Sequence, residues 1–222
     1  MVTAGSMGVR RTGEAGFSLL ELLMAMTISV SIMGSMVAVT GQLQRSYYSQ
    51  IEGAAVQQEA RFALDWIVRE LSSAGNNPMS VTTGTCPAAG TVFRGIRRDP
   101  NGDSVQNDIR IHADLNGNGL LGGLTTATCT EAGEDITIQL NTGTNTIQRR
   151  DNNTEISTVD ISDSVITGLT FAYLDSNRAV TTSDAAICFI QVTVTSRTTT
   201  INNNTGQQQT FTETSEVRVR TR

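Results

Sequence analysis

Residues 16–39 read GFSLLELLMAMTISVSIMGSMVAV, and Glu21 is the one charged residue among them. A helix over the 23 residues from Phe17 to Val39 would be about 34 Å long at 1.5 Å per residue. That length is enough to cross a hydrocarbon core of about 30 Å. The sequence therefore predicts one membrane-spanning helix here.

The residues before this run are polar and include Arg10 and Arg11. A secretory signal peptide has its small-residue cleavage site after the apolar segment. Here the small residue Gly16 comes first, so cleavage after it would remove residues 1–16 and leave the apolar helix at the mature N-terminus. The leading arginines predict a cytoplasmic N-terminus, with the chain after Val39 on the other side of the membrane.

This order resembles the prepilin signal of type IV pilins and type II secretion pseudopilins, with Gly16, Phe17 and Glu21 as the matching residues. The resemblance implies that prepilin peptidase cuts after Gly16 and methylates the amine of Phe17. It also implies a single-pass inner-membrane protein with an extracytoplasmic head. The helix would later pack against other pilin subunits in a pilus or pseudopilus filament at the cell surface. The alternative, a plain signal anchor, would not require Gly16, Phe17 or Glu21 at these positions.

Glu21 is costly in a membrane, because a carboxylate costs about 2.5–3.5 kcal/mol on insertion scales and usually has a partner. Cleavage after Gly16 would create one candidate partner, the amine of Phe17. In the families that the chain resembles, this glutamate meets the N-terminal amine of a neighbouring subunit. The alternatives are an intramolecular pair with Phe17, one turn away, and a position at the lipid headgroups.

The 222-residue chain has a net charge of −5, and all 16 of its basic residues are arginine. An acidic chain without a basic run is a poor general nucleic-acid binder. The alternating Arg218, Arg220 and Arg222 are more typical of a solvated strand edge.

The sequence contains three cysteines, so at most one disulfide forms within the chain. Cys86 and Cys129 lie in loops rich in small and polar residues, and we predict a disulfide between them outside the cytoplasm. Cys188 alternates with Ile190 in a strand pattern, which predicts a buried free thiol. One histidine, His112, and no CxxC motif argue against zinc.

The helical pattern continues over residues 40–75 and ends at Gly75, with Pro78 just beyond. Its apolar positions recur at helical spacing: Ala60, Ala63, Leu64, Ile67, Leu71 and Ala74. Its polar side comprises Gln57, Gln58, Arg61, Asp65, Arg69 and Ser72. Residues 60–75 resemble the corresponding helix of PilW-type minor pilins, although any amphipathic helix on a pilin sheet would show this pattern.

Residues 76–222 are rich in Thr, Asn, Gly and Asp, and turn signals such as Asn101-Gly102 separate short alternating runs. The predicted strands are Thr91–Ile96, Asp108–Ala113, Asp135–Leu140, Thr144–Arg149, Val165–Leu174, Ala186–Arg197 and Thr210–Arg220. Antiparallel strands after one long helix predict an α+β, pilin-like fold in which the helix packs on the sheet.

Two loops are candidate calcium sites. The first contains Asp99, Asn101 and Asp103, with Asn107 and Asp108 just beyond. These side chains supply the hard oxygen ligands that calcium prefers. Ordinary Asx turns facing the solvent have the same composition, so both interpretations stay open.

The second loop places Asp114, Asn116 and Asn118 at alternate positions before Gly119, as in the first half of a calcium-loop motif. Thr125 stands where the motif has its bidentate glutamate. Candidate replacements follow in the chain: Glu131, Glu134 and Asp135. Calcium at either loop is therefore a candidate cofactor, and Asx turns are the alternative here too.

The sequence has no nucleophile elbow and no phosphate-binding loop, which predicts that the chain is not an enzyme. We expect a leader (1–16), a membrane helix (17–39), an amphipathic continuation (40–75) and a head (76–222). The predicted function is a type IV pilus minor pilin acting in assembly, initiation or tip presentation. The alternatives are a type II secretion minor pseudopilin, a calcium-dependent adhesin head on a pilin stalk, and an unprocessed membrane anchor.

Overall fold

The chain divides into two units, Met1–Tyr47 and Tyr48–Arg222, and one helix contributes to both. This helix, α1, runs from Leu19 to Ser73 and has 55 residues. The computed structural model describes residues 16–80, 93–119, 132–153, 158–202 and 205–220.

The N-terminal part of α1 is apolar and exposed, and it is long and apolar enough to cross a membrane. Three of its hydroxyl groups donate hydrogen bonds to the helix backbone. Thr27 donates to the carbonyl of Met24 at 2.8 Å, and Ser31 donates to that of Thr27 at 2.8 Å. Ser35 donates to the carbonyl of Ile32 at 2.7 Å. These hydroxyls therefore present no unpaired donor to lipid.

The second half of α1 is amphipathic, as predicted. Every residue of its predicted apolar stripe is buried: Ala60, Ala63, Leu64, Ile67, Leu71 and Ala74. Most of the predicted polar side is exposed: Gln58, Arg61, Asp65, Arg69 and Ser72. Gln57 is half-buried, because its side chain donates to Glu213 at 2.9 Å. Helical spacing alone was enough to identify the face that packs.

Two glycines mark where other parts of the head come close to this helix. A Cβ on Gly53 would lie 2.7 Å from the side-chain oxygen of Gln209 and 3.3 Å from the ring of Phe211. Gly75 has φ +76°, and a Cβ there would lie 1.8 Å from the carbonyl oxygen of Arg220. A left-handed glycine therefore follows the helix where the sequence predicts it.

The first sheet is antiparallel and has five strands in chain order. They are β1 (Ile96–Arg98), β2 (Asp108–His112), β3 (Asp135–Asn141), β4 (Thr146–Asp151) and β5 (Val159–Asp160). Ile109 pairs with Ile138 and Ile111 pairs with Ile136, and all four side chains are buried. This register gives the sheet an apolar face.

The second sheet is antiparallel, with strands in the order β6 (Ile166–Leu174), β7 (Phe189–Arg197) and β8 (Thr210–Arg218). Buried Ile190, Val192 and Val194 alternate along β7 with more exposed residues, as predicted. This strand therefore presents one apolar face to the core.

The stripe on α1 and the apolar faces of both sheets form one hydrophobic cluster. Its largest fully buried side chains include Phe171, Ile67, Leu71, Ile138 and Ile190. Burying a side chain of this size contributes about 1.5–3 kcal/mol. The structure is therefore α+β, with a long helix packed on antiparallel sheet, and the predicted fold class is confirmed.

Several predicted strand boundaries are wrong. The strand predicted over Thr91–Ile96 begins only at Ile96, and residues 91–92 lie outside the described chain. The strand predicted from Ala186 begins at Phe189, because a 3-10 turn occupies Asp184–Ala186. The two-residue strand β5 was not predicted, since so short a strand has no measurable alternation.

Cys188 is half-buried rather than buried, and it lies just before β7. Its thiol is free, as predicted. Its backbone N–H donates to the carbonyl of Leu174 at 2.8 Å, and its carbonyl accepts from Val219 at 3.0 Å. The backbone pairing thus extends past the strand end, although the Cys188 side chain is only half-buried. The predicted Cys86–Cys129 disulfide lies outside the described residues.

Glu52 on α1 forms hydrogen bonds with the segment that follows β7. One of its carboxylate oxygens accepts from the backbone N–H groups of Thr199 and Thr200, at 2.7 and 3.0 Å. The Thr199 hydroxyl donates to it at 2.7 Å, and the Thr200 hydroxyl donates to the other oxygen. The Thr200 hydroxyl is the main reason that the pKa of Glu52 falls from 4.5 to about 2; burial acts in the opposite direction, and the other hydrogen bonds from Thr199 and Thr200 lower the pKa further.

We predict that Glu52→Gln lowers the Tm of the detergent-solubilised chain by about 2–4 °C at neutral pH, the effect of about 1 kcal/mol. Because the folded pKa is depressed, the carboxylate stabilises the fold above pH 4.5 and loses this effect as the pH falls to about 2. Thermal unfolding across this range should show the two Tm values converging. Asp65→Asn, on the exposed side of the same helix, should change little. A gap that persists at the lowest pH would contradict this role.

Candidate functional site

The predicted processing site lies at the start of the described chain, before α1. Residues 16–18 are not helical, and Gly16 and Phe17 are exposed. The first helical hydrogen bond runs from Leu22 N–H to the carbonyl of Ser18 at 3.1 Å. Glu21 is exposed in the first turn, where a carboxylate interacts favourably with the helix dipole. The Gly16–Phe17 peptide bond is therefore accessible and outside the helix, with the acid one turn further on.

The first candidate calcium loop connects β1 to β2 and is built around Asp99. Asp99 Oδ1 accepts from the N–H groups of Gly102 at 2.8 Å and Asp103 at 3.0 Å. Its other oxygen accepts from Ser104 N–H at 2.9 Å. Asp103 Oδ1 in turn accepts from Val105 N–H at 2.7 Å. The loop is thus a series of Asx turns, as the alternative interpretation expected.

Asp108 lies at the end of this loop and differs from the other two acids. It is 1% exposed, and its Oδ2 accepts from the backbone N–H of Asn101 at 3.2 Å. Its Oδ1 is also buried and has no hydrogen-bond partner among the described residues. Burial, together with the charges of Asp99 and Asp103, raises the pKa of Asp108 to about 6. The loop therefore places three carboxylates within electrostatic reach of one another.

The second candidate loop is closed by the fully buried Asp114. Its two carboxylate oxygens accept from Gly117 N–H at 2.7 Å and Gly119 N–H at 3.0 Å. Both glycines have positive φ, at +73° and +75°. The side-chain oxygen of Asn116 accepts from Asn118 N–H at 2.9 Å. The loop is thus built from Asx-type turns, as the alternative interpretation expected.

Of the candidate replacements for the missing glutamate, the structure brings Glu134 to this loop. Its Oε1 accepts from Leu115 N–H at 2.9 Å and from Asn116 N–H at 3.3 Å, and the residue is 2% exposed. Asp135 is used elsewhere, and Glu131 and Thr125 lie outside the described residues. Across the described ranges, no three His, Cys, Asp or Glu side chains are grouped as they stand to hold a metal ion.

Sequence reasoning missed a buried charge network between β2 and β3. Arg110 donates to both oxygens of Asp135, with Nε 2.6 Å from Oδ1. Asn152 donates to Oδ1 at 2.9 Å. His112 accepts from Arg94 N–H through Nδ1 at 3.2 Å, so its protonated Nε2 faces Asp135 Oδ1 at 3.4 Å.

This network explains how the polar side chain of His112 is accommodated in a buried position. Burial opposes ionisation of Asp135, but Arg110 and His112 together hold the pKa of its carboxyl well below the ordinary value. His112 and Asp135 are cross-strand partners in the register of β2 and β3. That pairing was not readable from the sequence, because register depends on the whole sheet. The histidine therefore accepts one backbone N–H bond, and its Nε2 lies near the Asp135 carboxylate without a hydrogen bond to it.

A cavity of about 330 Å³ lies beside the start of β1, with Phe93 and Gly95 in its wall. Its charged lining residues are Arg94, Asp184 and Arg220. Asp184 pairs with Arg98 at 2.6 Å and with Arg94 at 4.0 Å. The wall therefore mixes charges of both signs with an aromatic side chain.

No protein-family model matches this sequence, and neither a curated protein nor a solved structure does. The features of the chain that bear on its function are the accessible Gly16–Phe17 bond, the exposed apolar helix with Glu21, and the two oxygen-rich loops.

We predict that Asp135→Asn destabilises the folded chain by about 3 kcal/mol, because it leaves the partly buried Arg110 without its counter-charge. The stabilisation lost is present at neutral pH and disappears as the pH falls below the ordinary carboxyl range, since the folded pKa is depressed. Chemical denaturation at neutral pH measures it. As a matched control, Glu216→Gln breaks the exposed pair with Arg178 and should cost about 1 kcal/mol or less. Equal effects of the two variants would contradict the role of the buried network.

Proposed function

We propose that this chain is a type IV pilus-like minor pilin, a structural subunit that acts in pilus assembly, initiation or tip presentation. One observation carries the proposal: the N-terminal order of an exposed Gly16–Phe17 bond, an exposed apolar helix, and Glu21 in its first turn. In the prepilin families that this order resembles, a peptidase cuts after the glycine and methylates the new amine.

The anchoring step is supported by the exposure of the apolar part of α1. Leu19, Leu23 and Ile28 are each more than half exposed. Apolar surface of this extent is unfavourable in water and favourable in lipid or between helices. Before assembly, the subunit would be a single-pass inner-membrane protein with its head outside the cytoplasm.

The assembly step depends on the one acid in the apolar segment. A buried carboxylate needs a counter-charge, and cleavage after Gly16 would supply an α-amine on every subunit. Glu21 would pair with the amine of Phe17 on a neighbouring subunit, which would set the register between two helices. The pair would form only as the helices leave lipid for the filament.

The processing prediction is tested by intact mass and N-terminal sequencing of membrane-extracted protein, from cells with and without prepilin peptidase. We expect a mature chain that begins at Phe17, carries one added methyl group and requires the peptidase. Gly16→Val should block cleavage, because the site needs a small residue, whereas Gly13→Val in the same leader should not. A chain that keeps residues 1–16 in both strains would refute the proposal.

A second prediction concerns filament incorporation. Glu21→Ala should leave membrane insertion intact and reduce the amount of subunit in sheared filaments by at least about tenfold, the effect of losing about 1.4 kcal/mol. Quantitative immunoblots of the filament and membrane fractions measure this ratio. Thr27→Ala is the control, because the Thr27 hydroxyl is already bonded to its own helix. Normal incorporation of Glu21→Ala would rule out the register role.

A further inference from the structure

The cavity beside the start of β1 lies where four segments of the head meet. These are the turn after α1 at Gly75, the start of β1 at Gly95, the 3-10 turn with Asp184, and the segment after β8 with Arg220. A Cβ on Gly95 would lie 2.7 Å from the Cα of Gly75, and a Cβ on Gly75 would clash with the carbonyl oxygen of Arg220. The two glycines therefore let three of these segments meet in direct backbone contact.

Hydrogen bonds to β2 hold this wall in place. Gly75 N–H donates to the carbonyl of His112 at 3.0 Å, and His112 N–H donates to that of Gly95 at 3.2 Å. The backbone N–H of Arg94 donates to Nδ1 of the same histidine at 3.2 Å. The ring of Phe93 packs at an angle against the imidazole, with 6.1 Å between the centroids. Because His112 is itself buried, the wall is preorganised rather than formed by loose side chains.

The charges in the wall do not cancel. Asp184 Oδ1 accepts from Arg98 Nε at 2.6 Å, whereas its other oxygen lies 4.0 Å from Arg94 Nη1, which is too far for a hydrogen bond. Within the described part of the chain, the guanidinium groups of Arg94 and Arg220 donate no hydrogen bond. Two arginines and one aspartate therefore give the wall a net charge of +1.

This wall suits a small anion that also has an apolar part. A guanidinium group binds a carboxylate through two parallel N–H donors. The apolar lining residues are Phe93, Ile96 and Ala185. The volume of about 330 Å³ is at the lower end of the range of small-molecule sites, about 300–1,000 Å³. A monoanion would cancel the charge of the wall, whereas a phosphate group with a charge of about −2 would exceed it.

We propose that this cavity binds a monocarboxylate with a compact apolar body. Arg94 and Arg220 would hold the carboxylate, and the apolar body would lie against Phe93. Small aromatic acids and the C-terminal residue of a peptide share this chemistry. The inference is independent of the filament assignment, because every residue of the wall belongs to the unit Tyr48–Arg222.

The test is fluorine NMR of para-fluorobenzoate mixed with the full-length, detergent-solubilised chain, with protein-free micelles as the blank. We expect saturable binding with a Kd below about 1 mM. The uncharged para-fluorobenzamide should bind at least about tenfold more weakly, and acetate should not displace the benzoate. N-acetyl-para-fluorophenylalaninate represents a peptide C-terminus, and the tighter of the two carboxylate probes identifies the source of the ligand.

Substitutions of the two arginines locate the binding. Arg94→Gln and Arg220→Gln should each raise the Kd at least about tenfold, the effect of losing one charge-assisted hydrogen bond. Both side chains are exposed, so the variants should fold. Arg97→Gln is the matched control, because Arg97 is an exposed arginine on β1 that does not line the cavity. Its variant should bind the probe as the parent does.

Four results would overturn the proposal. These are the absence of saturable binding above the micelle blank, equal binding of the uncharged amide, binding that survives both arginine substitutions, and an equal loss in Arg97→Gln, which would indicate surface charge alone. Displacement of the probe by inorganic phosphate as readily as by unlabelled benzoate would overturn the assignment to a carboxylate.

Discussion

Packing of the apolar stripe of α1 against both sheets is the interaction on which the head depends. The stripe includes Ala60, Ala63 and Ile67, which are completely buried in the cluster that the two sheets share. Small alanines bring the helix backbone close to the strands, while isoleucine and leucine fill the space between them. Without this helix, the three-stranded sheet and the five-stranded sheet would each leave an apolar face exposed to water. The helix therefore organises the sheets rather than merely preceding them.

Polar contacts then select one arrangement of this core. Glu52 bonds to Thr199 just after β7, Gln57 bonds to Glu213 on β8, and Glu59 accepts from Asp163 N–H at 2.9 Å. These contacts occur at three positions along the helix, so they align it with the strands as well as binding it. The Arg110–Asp135 pair does the same within the first sheet, where its low exposure makes a mismatched register costly.

The two parts of the continuous helix α1 are suited to different environments. The second half has one buried face and one polar face, as in a soluble protein. The first half is apolar on its exposed surface, and the hydroxyls of Thr27, Ser31 and Ser35 are bonded internally. A helix of that kind is suited to lipid or to other helices. This contrast gives the proposed pilin role its physical basis: the head is held by its own core, and the apolar part is left for a membrane or for neighbouring subunits.

The sequence alone determined the features that depend on local pattern. The spacing of Ala63, Leu64 and Ile67 identified the buried helix face, Gly75 marked the helix end, and alternation located most strands, because these signals reside in neighbouring residues. Tertiary structure decided what depends on contacts distant in the chain. Only it showed that Asp135 pairs with Arg110, that Gly53 makes room for Phe211, and that Asp108 is buried. Strand register and sheet-to-sheet contact bring these residues together, and no local periodicity encodes either.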